Sequence, residues 1–169
     1  MHFFNYTFTP FGVITVIFAI TLSSPDKTDT LISLFTLAIQ FIVNFYVFKN
    51  IYKFQKNMNA TRVWLVIFNI LTASVVFYFI TAYWAPSWLL YAMPSSFAAT
   101  FLNRKKTILI SILSVFAMFF VYWLRSLLLQ LDISLQMWAM ALSHGLFILT
   151  ISIFINNMSE TMIKMRSNG

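Results

Sequence analysis

Residues 63–83, VWLVIFNILTASVVFYFITAY, contain no Asp, Glu, Lys or Arg. A helix needs roughly 20 predominantly apolar residues to cross about 30 Å of hydrocarbon, so this stretch is expected to be a transmembrane helix. Residues 107–124 are its equal, and residues 136–155 and 31–48 follow closely. Two weaker runs complete the pattern. Residues 11–22 are short unless the aromatic lead-in from Phe3 belongs to them, and residues 88–102 carry Pro94. The chain is therefore expected to be all-α, a polytopic transmembrane helix bundle with six predicted spans, or five if the Pro94 run does not cross.

Composition points the same way. Hydrophobic residues make up 60% of the chain and charged ones 9%, against about 45–50% and 25% in soluble domains. A water-soluble globule is excluded. The absence of cysteine removes disulfides, zinc-thiolate sites and thiol nucleophiles together. Eleven Lys+Arg against 4 Asp+Glu give a net charge of +7, but the basic residues sit in short clusters between apolar runs and do not share one solvated surface. No nucleic-acid partner is expected. The lipid bilayer is.

Basic side chains are retained on the cytoplasmic side of short loops. Residues 23–30 hold one Lys against two Asp; Lys49, Lys53, Lys56 and Arg62 form a basic loop; residues 83–87 are uncharged. Arg104, Lys105 and Lys106 form a second basic loop, residues 125–135 hold Arg125 and Asp132, and the tail holds Lys164 and Arg166 with Glu160. If all six runs span, the alternation makes a multi-pass cell-membrane protein with both termini cytoplasmic. Trp84 and Trp88 bracket Pro86 in an expected tight outer turn, and Tyr122, Trp123 and Trp138 flank the last outer loop, where rings favour the headgroup level. No Lys or Arg precedes the first run and no small-residue cleavage site closes it, so that segment is expected to be retained. No internal repeat is present and no loop is long enough for a second domain. Residues 1–157 are expected to form a transmembrane domain and residues 158–169 the start of a cytoplasmic helix.

An ionisable group inside a span marks a functional site by default, and here none of the predicted spans has an Asp, Glu, Lys or Arg in its middle. That counts against an ion pump and against carboxylate or Ser-His-Asp hydrolysis. Neither HExxH nor a glycine-rich phosphate loop occurs, so no catalytic residue, metal site or cofactor is expected. Uncharged stripes remain. Ser33, Thr36, Gln40 and Asn44 recur at spacings of three and four, which places them on one helical face; Thr107, Ser111 and Ser114 form a second stripe. They serve either as interhelical hydrogen-bonding residues or as the lining of a ligand pocket, the former being commoner. With three glycines and no GxxxG, close packing would use Ser95/Ala99, Ala139/Ser143 and Ala141/Gly145. His144 is the one titratable side chain well inside a span, either a hydrogen-bonded interior residue or a pH or metal sensor; His2 lies at the terminus.

The tail carries a further pattern. Ala141, His144, Ile148, Ile151, Ile155, Met158, Met162 and Met165 alternate spacings of three and four, a heptad seam. Most positions before Asn156 are apolar anyway, so the three methionines carry the signal. They read as the opening turns of a coiled coil, with a solvated tail as the bland alternative.

On these residues the layout resembles the membrane sensor region of bacterial histidine kinases, most nearly the DesK-like thermosensor family. The likeness runs from Phe8-Thr9-Pro10-Phe11-Gly12 through Asn44-Phe45-Tyr46-Val47-Phe48-Lys49, the long run from Val63 and the loop Asn103-Arg104-Lys105-Lys106 to a last span entering a helical tail. The resemblance implies a sensory input module of a two-component system. It would be a homodimer whose last span, with Ile151, Ile155, Met158, Met162 and Met165 as output seam, passes signals to a phosphoacceptor histidine and an ATP-binding domain. Neither is within these residues, and a response regulator would be a partner only through them. The family also places polar residues at the lipid-water boundary of its first span; Asn5, Thr7 and Thr9 fall in the matching region, without a Lys among them. The last span lacks the family's hinge proline, and six runs exceed its usual five. Two other classes are open: a peptide-pheromone receptor region, and a substrate-binding membrane subunit of a small-molecule transporter.

Overall fold

The computed structural model describes residues 7–82, 85–130 and 134–167. Every regular element among them is helical: α1 (Thr9–Ser23), α2 (Lys27–Lys49), α3 (Met58–Ile80), α4 (Leu89–Ala99), α5 (Arg104–Leu129) and α6 (Leu135–Ser167), with 3-10 turns at Ile51–Asn57 and Ala85–Trp88. Each of the six apolar runs thus becomes a helix, but the helices fall into two classes. α2 and α3 have 23 residues, α5 has 26 and α6 has 33, so at 1.5 Å per residue they reach roughly 35–50 Å. These four are long and apolar enough to cross a bilayer. α1 has 15 residues and α4 has 11, about 22 and 16 Å, short of the hydrocarbon thickness.

Local chemistry sets the helix ends. Pro10 in the first turn of α1 occupies a position where no backbone donor is needed, and the helix stops where Ser24 turns left-handed (φ 48°) and its N–H reaches Ile20 O at 3.3 Å. Asn103 caps α5 by accepting the Lys106 N–H at 3.1 Å. α5 does not end at Leu124. Leu127, Leu128 and Leu129 carry the apolar pattern onward until Gln130 turns left-handed (φ 50°) with its N–H on Ser126 O, so Arg125 lies within the helix rather than in an outer loop. α6 runs unbroken from its apolar half through Asn156 and Asn157 into the tail.

The chain packs as two compact units, Met1–Leu90 and Tyr91–Gly169. In the first, α2 packs against α1 and α3; in the second, α5 packs against α6. Glycines permit the close approaches. A Cβ on Gly12 would come within 2.7 Å of Leu37 Cδ2, and one on Gly145 within 2.9 Å of Val115 Cγ1.

The surface departs from that of a soluble protein: around a core that is still largely apolar, such as Val66, Phe77 and Met118, many large apolar side chains face outward and several polar ones face inward. Phe35, Ile42, Leu109, Phe116 and Leu146 are each more than 60% exposed, while Ser33, Gln40, Asn69, Ser111, Ser114 and Ser152 are fully buried. In water this would leave the apolar surface uncovered and hide the polar groups at a cost. In hydrocarbon the same arrangement suits both sets better than its reverse, because lipid accepts leucine and cannot hydrogen-bond a carboxamide. The fold is consistent with a polytopic membrane protein.

Candidate functional site

The most connected polar cluster lies between α2 and α3. Spacings of three and four bring Ser33, Gln40 and Asn44 to the buried face of α2, while Thr36 at its edge is half-buried and donates to Ile32 O at 2.8 Å. Opposite them stands Asn69, midway along α3. Its Oδ1 accepts from Gln40 Nε2 at 2.6 Å and from Asn44 Nδ2 at 3.0 Å, and its Nδ2 donates to Asn44 Oδ1 at 3.0 Å and to Leu65 O at 2.7 Å. Asn44 and Asn69 therefore form a reciprocal carboxamide pair, and Asn69 uses every donor and acceptor it has. Gln40 does not: its Oε1 is buried without a hydrogen-bond partner, as is the Ser33 hydroxyl. The cluster has no titratable member. It can exchange hydrogen bonds but cannot move protons.

A second cluster joins α4 to α5. Thr107, Ser111 and Ser114 are fully buried on one face of α5, and Ser111 Oγ donates to Thr107 O at 2.9 Å. Ser95 Oγ lies 3.0 Å from Tyr91 O and 2.7 Å from Ser114 Oγ; with one hydrogen on each hydroxyl, Ser95 donates to the carbonyl and Ser114 donates back. Among the small-residue pairs, Ser95/Ala99 and Ala141/Gly145 are buried, whereas Ala139 and Ser143 are exposed and joined to each other, Ser143 Oγ donating to Ala139 O at 3.0 Å.

The third cluster sits where the apolar part of α6 gives way to the polar tail. Asn156 Nδ2 donates to Ala99 O at 3.0 Å and to Leu102 O at 2.8 Å, and Ser159 Oγ donates to Thr100 O at 3.0 Å. The last carbonyls of a helix have no partners within it. At the end of α4, Phe97 O and Ala98 O take the N–H groups of the following turn, while Ala99 O and the carbonyls of Thr100 and Leu102 just beyond it are satisfied by side chains from α6.

The remaining sequence candidates are more dispersed. His144 is half-buried on α6, next to the Gly145 contact with Val115. Thr7 is exposed and Thr9 buried, while Asn5 and His2 lie outside the described residues. Along the tail seam Ile151 and Ile155 are half-buried and Met158, Met162 and Met165 exposed. The described residues bring no three His, Cys, Asp or Glu side chains together as a metal site. Asn69, Asn156 and Ser159 were not among the sequence candidates. A lone Asn in the middle of residues 63–83 is the one signal that could have marked Asn69. The chain matches no protein-family model, no curated protein and no solved structure.

Proposed function

We propose that this chain is the membrane-embedded sensory input module of a two-component histidine kinase, acting as a homodimer and passing a membrane or ligand signal through α6 to a cytoplasmic kinase domain. In this proposal α1 and α4 cross with the four long helices to make six spans, the two short helices being completed by the non-helical or 3-10 residues that flank them, such as Ala85–Trp88 before α4; both termini are cytoplasmic, and the tail from residue 158 begins the signalling helix. The observation that carries it is the continuity of α6: one helix of 33 residues joins an apolar half to a polar tail without a break, and a helix that keeps its phase across the boundary transmits rotation or displacement mechanically. The face it turns toward its own unit holds Ala141, Ile148, Ser152 and Asn156. At 100° per residue the seam of Ile151, Ile155, Met158, Met162 and Met165 lies about a quarter-turn away, so α6 can be held on one face and present the methionines to a second copy on its flank.

A transporter subunit is the second proposal, favoured by the 3-10 turn Ala85–Trp88 leading into a short α4 with Pro94 inside it, since transporters use interrupted helices at their sites. Disulfide crosslinking separates the two. Single cysteines at positions 155, 158 and 162 crosslink between protomers in the sensor proposal, while those at 156, 157 and 160 do not. A flat profile across 155–162 removes the dimeric output helix and with it the sensor proposal.

A further inference from the structure

We propose that Asn156 and Ser159 form a releasable latch that sets the rotational phase of α6 at its exit from the apolar region. Two side chains three residues apart share one face of α6 and deliver three hydrogen bonds, across a sequence separation of 54 to 59 residues, to the carbonyls of Ala99, Leu102 and Thr100. Among the described residues no backbone–backbone hydrogen bond ties α6 to this turn, so its angle about its own axis at this level is set by side-chain contacts. A turn of one residue position, 100°, carries both donors off the carbonyls together.

Two features make the latch releasable rather than a permanent strut. Asn156 is 1% exposed, yet its Oδ1 has no hydrogen-bond partner, so the latched state leaves one buried acceptor unsatisfied, and a shift that gives it a donor relieves that cost. The anchored segment is also a short turn. Residues 100–102 are also held by the N–H groups of Thr100, Phe101 and Leu102 on Phe97 O and Ala98 O at 3.0 to 3.3 Å, by the Thr100 hydroxyl on Phe97 O at 2.8 Å, by the Phe97–Phe101 ring contact and by the Thr107 hydroxyl on Leu102 O at a long 3.4 Å, all of them local to this turn and the adjoining helix ends. Directly beyond it stand Arg104, Lys105 and Lys106, all exposed in the first turn of α5. The latch therefore joins the base of α6 to the turn that carries the basic cluster. What its release accomplishes, freeing the methionine seam to turn, rests on the sensor proposal; the latch itself rests on geometry.

Hydrogen exchange of the full chain in phosphatidylethanolamine–phosphatidylglycerol vesicles tests it. Asn156→Leu keeps the side-chain shape and Ser159→Ala nearly so, while together they remove all three donors. In the double variant, amides of residues 100–102 and of residues 157–166 exchange faster together, by about tenfold or more. The Asn157→Leu control on the exposed face leaves both segments as in the parent. Acceleration confined to residues 100–102, or in neither segment, overturns the latch. Protection of residues 111–121 in α5 reports that the unit still folds, and if it is lost, Ser159→Ala alone is read by the same criterion. Crosslinking of Met158→Cys in the otherwise unaltered chain tests the sensor proposal separately: its absence refutes the dimer and leaves the exchange result to decide the latch.

Discussion

Replacing Asn69 by Leu is expected to damage the protein more than replacing Asn69, Gln40 and Asn44 by Leu all at once. The single change deletes three interhelical hydrogen bonds, one to Gln40 and two to Asn44. Bonds of this kind in membranes are worth about 0.6 kcal/mol each on average, so their loss alone comes to roughly 2 kcal/mol. It also leaves the Asn44 carboxamide and the Gln40 amide buried with no partner, at about 1–3 kcal/mol for each orphaned group. The triple variant forfeits the same bonds but orphans none of these three carboxamides; Leu shares the branched shape of Asn but is larger, and methyls that need about 3.5–4.0 Å replace amide atoms 2.6 to 3.0 Å apart, so α2 and α3 must part slightly at positions 44 and 69. A destabilisation of about 4–8 kcal/mol is expected for the single variant and about 2–3 kcal/mol for the triple. Unfolding in mixed dodecylmaltoside–SDS micelles, followed by circular dichroism, measures both. A triple variant as unstable as the single one, or more so, would falsify the assignment of this cluster as a mutually satisfied network.

Three further outcomes follow from particular contacts. Gly145→Ala is expected to destabilise by about 1 kcal/mol, since the new methyl meets the stiff, β-branched Val115 at 2.9 Å; Gly12→Ala should be neutral or stabilising despite a 2.7 Å contact, because the Leu37 methyl can swing away and alanine favours the helix. Thermal unfolding in detergent ranks the two, and the reverse order refutes the packing argument. Under the six-span topology, reporter fusions after Gln55 give a cytoplasmic signal and fusions after Gln130 an external one, and either signal inverted removes that topology. Leu at Gln40 and Asn44 together should lower thermal stability more than Leu at Ile39 and Val43, because the latter two positions are exposed or half-buried and lose no interhelical bond; equal melting temperatures would count against a buried polar face on α2.

Long-range hydropathy made the helices legible, because a run such as residues 63–83 has no other stable state in a bilayer. The polar face of α2 was legible for a related reason: spacings of three, four and four along Ser33, Thr36, Gln40 and Asn44 put all four on one side of a helix. Its partner was not. Asn69 shows no period of its own, and nothing in a single sequence says which of the neighbouring helices it meets. Arg125 was misplaced because a charge reads as a loop, whereas here it stays within the helix, half-buried with its Nη1 shielded from the surroundings. Asn156 and Ser159 were hidden by convention: polar residues after an apolar run look like the end of a membrane segment, and only the three-dimensional return of residues 99–102 to the side of α6 reveals them as donors.

The reciprocal pairing of Asn44 with Asn69 also bears on how the chain enters the membrane during synthesis. Alone in hydrocarbon, α3 would present at its midpoint a carboxamide paired only through one N–H to Leu65 O, and α2 would present those of Gln40 and Asn44 without their partner on α3. Joined by Asn50 and the seven residues of Ile51–Asn57, the two segments can partition as a hairpin, each hiding the polar groups of the other as it leaves the aqueous channel. α2 therefore has reason to wait beside the insertion machinery until α3 emerges. Lengthening or stiffening the connection between them would disturb biogenesis before it disturbed the finished fold.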